Sequence, residues 1–84
     1  MKLNKLQLIE CLNYVQSRSS HQRAGQAFST ELSSVNNTIY NTITGSHCDM
    51  YYSDKSIIDF VANYCDQEAM QYFYSSHSQD LFKI

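Results

Sequence analysis

"NNTIYNTITG", residues 36–45, can be read as a strand or as a helix, and the class of the whole domain follows from which it is. Its threonines and isoleucines are β-branched and suit a strand. A lone strand has nothing to pair with, and no second one is evident along the chain. The helical reading places Ile39, Tyr40 and Ile43 on one face after a turn at Asn36 and Asn37, and makes Gly45 the left-handed residue that ends the helix. The chain is therefore expected to be all-α, a compact single domain over residues 1–84 of four or five short helices.

The flanking sequence supports that reading. Asn4, with Gln7 three residues on, forms a capping-box pattern ahead of Leu8, Cys11, Leu12 and Val15, which predicts a helix over about residues 4–17. "SRSSHQ" then breaks the chain and offers Ser19 or Ser20 as the next cap. Ala24, Ala27, Phe28, Leu32 and Val35 follow at helical spacing. Gly25 and Ser29 lie four apart on an adjacent face, where a neighbouring helix could come close. Ser53 or Asp54 is the expected cap of a further helix, with Ile57, Ile58, Val61, Ala62 and Cys65 inward and Asp59 and Asn63 outward. A last helix is predicted from about Asp66 through Ala69, Met70, Phe73 and Tyr74. Beyond "SSHSQD", an apolar end at about residues 78–84 carries Leu81, Phe82 and Ile84. The interior is expected to come mainly from the second and fourth helices.

Composition narrows the functional classes. A chain of 84 residues with 43% hydrophobic and 17% charged side chains can fold as one domain. At that size it buries only about 60–65% of its unfolded surface, so a partner or a second copy would add stability, and homo-oligomerisation is compatible with the sequence. No apolar run reaches the length of a membrane span, and no membrane partner is expected. Cys11, Cys48 and Cys65 are odd in number and widely spaced, which suits a reducing compartment, so the expected location is the cytoplasm. The Asn36-Asn37-Thr38 sequon would then stay unmodified. The net charge of −2 divides unevenly: Lys2, Lys5, Arg18 and Arg23 against Glu10 give +3 over residues 1–30, and the remainder gives −5. With only two arginines, direct binding of nucleic acid is not expected.

The stretch "GSHCDMYYSD", residues 45–54, gathers most of the reactive side chains. His47, Cys48 and Asp49 invite a nucleophile reading, yet catalytic Cys and His normally come from separate elements, and no oxyanion-hole turn surrounds Cys48. His47, Cys48, Cys65 and His77 lack the short ligand spacings of a zinc site. Asp49 and Asp54 lack the ladder of a calcium loop, and neither glycine belongs to a phosphate loop. No catalytic residue, metal or cofactor is assigned, and the protein is not expected to be an enzyme. The tyrosines, seven in all, combine contact area with a polar tip. Tyr51 and Tyr52, flanked by Asp49, Asp54 and Asp59, form the candidate partner-binding surface. Arg23 and Gln26 together could line a polar groove, or reach across to the loop and pair with Asp49 or Asp54.

"HQRAGQAF" followed by "ITGSHCDMYYSDKSIIDFV" resembles an uncharacterised family of small phage- and prophage-encoded proteins, which pairs an R-x-G-Q helix with a G-x-x-x-D-x-Y-Y-x-D-x-x-I-x-x-F segment. The likeness covers about residues 6–65, and the family tends to carry proline where Met50 stands here. It transfers no catalytic residue and implies a mobile-element origin, where such small acidic proteins often block or redirect a host protein. The expected function is accordingly inhibition or modulation of a host protein with a basic surface, of the anti-defence or anti-CRISPR type, in the bacterial cytoplasm. A nucleic-acid-binding defence complex is one such partner. The alternative is an oligomeric small-ligand or nucleotide binder that sequesters a signal, with Arg23, Gln26 and tyrosines at a shared pocket. A nucleic-acid-binding regulator stands third, disfavoured by the acidic balance.

Overall fold

Local caps set most of the helix boundaries in the computed structural model, which describes residues 1–82. Helix α1 (Lys5–Ser17) begins with the predicted capping box: the Asn4 side chain accepts the Gln7 amide at 2.9 Å, and the Gln7 side chain accepts the Asn4 amide at 3.1 Å. Helix α2 (Ala24–Val35) has no side-chain cap of its own. Ser19 and Ser20 fall instead within a turn, in which the Gln22 amide donates to the Arg18 carbonyl. Helix α3 (Asn37–Ile43) is opened by the Asn36 side chain on the Ile39 amide and closed before Gly45 at φ 81. Its threonines are accommodated by bonding back one turn: the Thr42 and Thr44 hydroxyls donate to the carbonyls of Thr38 and Tyr40. The helical reading of residues 36–45 holds, and the described residues form a small all-α domain.

Helix α4 (Ser56–Tyr64) also lacks a local side-chain cap. Ser53 contributes its carbonyl to the Ser56 amide, while the Asp54 side chain is directed elsewhere, so neither is the expected cap. Asp66 caps helix α5 (Gln67–Ser75) through the Ala69 amide, and a 3-10 turn, Ser78–Phe82, follows. Among the described residues no helix is long and apolar enough to cross a membrane.

Phe28 stands at the centre of the core. Its ring meets Phe60 of α4 at 5.5 Å and Phe82 of the 3-10 turn at 5.9 Å, both edge to face, and Phe82 also lies against Phe73 of α5. Such pairs add about 0.5–1.5 kcal/mol beyond the area they bury. Phe82 thus docks the apolar end onto the domain; Ile84 lies outside the described residues. Two expectations about the interior change. The most extensive helix pairing is α1 with α2 rather than α2 with α4, through Leu8, Cys11, Leu12 and Val15. On α4 the inward face is Ile57, Phe60 and Val61, which turns Ile58 and Ala62 to the surface. Leu3, fully buried, pairs in parallel fashion with Cys65, receiving the Asp66 amide and donating to the Tyr64 carbonyl. The chain start is thereby stitched to the α4–α5 junction.

Candidate functional site: a clamped aromatic loop

The segment between α3 and α4 turns first on Gly45, then on Ser46 and Asp49. The Ser46 hydroxyl donates to the Ile43 carbonyl and accepts the Cys48 amide, and the Asp49 amide donates to the Ser46 carbonyl. Asp49 completes the turn with its own carboxylate: Oδ2 accepts the Gly45 amide at 2.8 Å and Oδ1 accepts the Tyr51 amide at 3.1 Å. It is only 8% exposed, so its charge is seated inside the loop rather than displayed on it. Cys48 and Met50, both buried, anchor this turn to the core.

The second half of the loop is fixed by α2. Asp54 Oδ1 accepts the Gly25 amide at 2.8 Å and the Arg23 guanidinium at 2.5 Å, while the other arm of the same guanidinium donates to the Tyr51 carbonyl. Gly25 lies in the first turn of α2, whose amides have no partner within the helix. Asp54 therefore serves as the missing cap of α2, supplied from 29 residues away. The close approach predicted at Gly25 is real, but what arrives there is loop backbone and not a helix: a β-carbon at Gly25 would stand 2.1 Å from the Met50 carbonyl oxygen. The R-x-G and D-x-Y-Y-x-D segments are the two sides of one clamp, and the Ile57 and Phe60 that follow are core.

This clamp presents Tyr51 and Tyr52 outward, 41% and 78% exposed, with ring centroids 5.1 Å apart at 70°. Beside them opens a cleft of about 270 Å³ lined by Ser29, Tyr40, Thr44, Asp49, Tyr51 and Tyr52. Asp59 is exposed on the first turn of α4, and Lys55 is exposed next to the loop. Of the two residues read as a polar groove, Arg23 lines a separate cleft with Val15, Ser19, Gln22, Ala24, Asp54 and Leu81, and Gln26 is not one of its walls. Sequence reasoning missed Ser29, Tyr40 and Thr44 as walls of the aromatic cleft. The spacing of Ser29 one turn after Gly25, on the face the loop approaches, was the available signal.

No cysteine side chain lines the aromatic cleft or joins the clamp. Burial, and then the Asp59 carboxylate, push the Cys48 thiol above its ordinary range, which opposes formation of a nucleophilic thiolate although His47 Nε2 lies 3.5 Å from Sγ. Among the described residues no group of three or more His, Cys, Asp or Glu side chains is placed to hold a metal ion. Burial also raises the Cys11 thiol, and raises the Cys65 thiol from 9.0 to about 12. A thiol is neutral when protonated, so above pH 9 the folded state holds a proton that the unfolded state releases. Stability from this source is complete below pH 9 and declines as pH rises toward 12. Between pH 8 and 10 Cys65 should reduce the unfolding free energy by roughly 1 kcal/mol. Urea unfolding at both pH values, compared with Cys65→Ala, tests it: the same alkaline loss in the variant would remove Cys65 as the cause.

Comparison of the chain with protein-family models, with curated proteins and with solved structures found no match.

Proposed function

We propose that this chain is a small, non-enzymatic binding protein of phage or mobile-element origin, which occupies a host protein and inhibits or modulates it through Tyr51 and Tyr52. The observation that carries the reading is the pair of adjacent exposed tyrosines on a backbone held from both sides, by Asp49 within the loop and by Arg23 and Asp54 across to α2. Ordering a loop on binding costs free energy, and a loop already ordered avoids most of that cost. Tyrosine adds large contact area with few rotatable bonds.

Charge has a smaller part than aromaticity. Around the loop, Arg23 and Lys55 against Asp49, Asp54 and Asp59 leave one net negative charge, enough to favour a basic partner surface but not to dominate affinity. A nucleic-acid-binding defence complex in a bacterial cytoplasm fits that description. The nucleotide-sequestering alternative is weakened because its phosphate-binding candidate, Arg23, is already committed to Asp54 and the Tyr51 carbonyl.

The test is affinity purification of the intact chain from bacterial lysate with mass spectrometry, then titration of the co-purifying protein against the wild type and a Tyr51→Ala/Tyr52→Ala variant. The variant should bind at least about tenfold more weakly while keeping its helical circular dichroism. Full affinity in a folded variant would overturn the reading.

A further inference from the structure

We propose that the cleft beside Tyr51 and Tyr52 is a receptor for an arginine side chain of the partner protein; this rests on the binding role just described and names the chemistry of its central contact. Asp49 is one of the residues that line the cleft; it is 8% exposed, and its carboxylate accepts two backbone amides. An ionised carboxylate has about four acceptor positions, so two bonds leave it capacity for more. Among the described residues no basic side chain is ion-paired to Asp49, and the nearby arginine, Arg23, is held by Asp54. A largely buried carboxylate without a cation is a site that a desolvated cation can complete.

The walls favour a flat cation. Tyr40, Tyr51 and Tyr52 supply three aromatic rings, whose faces attract a guanidinium or an ammonium. Guanidinium has the better match: it is planar, stacks on rings, sheds water more readily than ammonium and donates two parallel bonds to a carboxylate. Ser29, itself buried, and Thr44 complete the lining. A volume of about 270 Å³ lies just below the roughly 300–1,000 Å³ of pockets that enclose whole small molecules, which suits one side chain better than a nucleotide.

The experiment is a two-dimensional amide NMR titration of the intact protein with N-acetyl-arginine amide, and with the uncharged N-acetyl-citrulline amide as its near-isostere. Arginine amide should give saturable shifts centred on Ser29, Tyr40, Thr44, Asp49, Tyr51 and Tyr52, with citrulline amide at least about tenfold weaker. Tyr52→Ala, at a position 78% exposed and so compatible with folding, should weaken the arginine response about fivefold. Equal responses to arginine and citrulline, shifts spread evenly over acidic residues such as Glu68 and Asp59, or no saturable shift would each overturn the proposal. Silence toward arginine amide together with tyrosine-dependent partner capture would reject the arginine receptor and leave the binding role standing. Saturable arginine binding with capture indifferent to the tyrosines would reject the binding role instead.

Discussion

Gly25→Ala should destabilise the protein by about 2–4 kcal/mol, against a helix-propensity gain of about 1 kcal/mol that the same exchange brings at an unobstructed helical position. The sign follows from what occupies the space. An alanine β-carbon would lie 2.1 Å from the Met50 carbonyl oxygen and 2.7 Å from Asp54 Oδ1, whereas carbon–oxygen contacts ordinarily lie at about 3.3–3.6 Å. The Asp54 carboxylate could rotate aside, but the Met50 carbonyl is backbone, and its residue is fully buried in the core. The loop must retreat as a unit. Retreat stretches the Gly25–Asp54 bond, worth about 1.5–3 kcal/mol as a bond to a charged group, and the more exposed Arg23 bond to the Tyr51 carbonyl, worth about 1 kcal/mol or less. In a domain of this length 1 kcal/mol corresponds to about 4–8 °C, so the melting temperature should fall by roughly 8–32 °C. Calorimetry on the two proteins decides it. A variant as stable as wild type, or more so, would mean that the loop does not rest on α2.

Where structure is local, the sequence was a good guide, and the clamp shows where locality ends. Asn4 with Gln7, Asn36, Asp66 and Gly45 each mark a boundary through groups at most a few residues away, and each boundary falls within about a residue of where the spacing predicts it. Asp54 carries the same kind of signal and misleads, because it lies two residues before α4 yet caps α2. Nothing in a cap's chemistry says which helix it serves when two start within reach. The inward face of α4 was misjudged for a related reason. In nine residues the apolar positions spread over more than half of the helix, wider than one buried face, and the selection of Phe60 over Ile58 is made by Phe28 and the surrounding core. Asp49 was legible as a loop residue but not as a buried one, since a turn has no period that separates inside from outside. For Tyr51 and Tyr52 the loop position predicts that at least one faces outward, and both do.

Asp54→Ala should cost about 2–3 kcal/mol, the sum of a lost helix cap and the bonds left open at Gly25 and Arg23. Arg23 is the more exposed partner, with side-chain exposures of 41% for Arg23 and 16% for Asp54. Arg23→Ala should therefore cost only about 1 kcal/mol, as surface ion pairs generally do. That asymmetry distinguishes a cap from a salt bridge. Asp54→Asn refines it: an amide oxygen can still accept the Gly25 amide but offers Arg23 no charge, so its loss should fall between the other two. The functional consequence is separable from the energetic one. At a temperature where the Asp54→Ala variant is still folded, the Tyr51 amide should exchange its hydrogen faster than in wild type. Partner affinity should then drop although both tyrosines remain, because the ordering cost that the clamp had removed returns on binding. Urea unfolding of the three variants measures the first ordering, and hydrogen exchange with titration on the same samples measures the second. Equal losses for Arg23→Ala and Asp54→Ala would reduce the contact to a surface pair. A destabilised Asp54→Ala variant with unchanged exchange at Tyr51 would show that the aromatic loop holds its shape without α2.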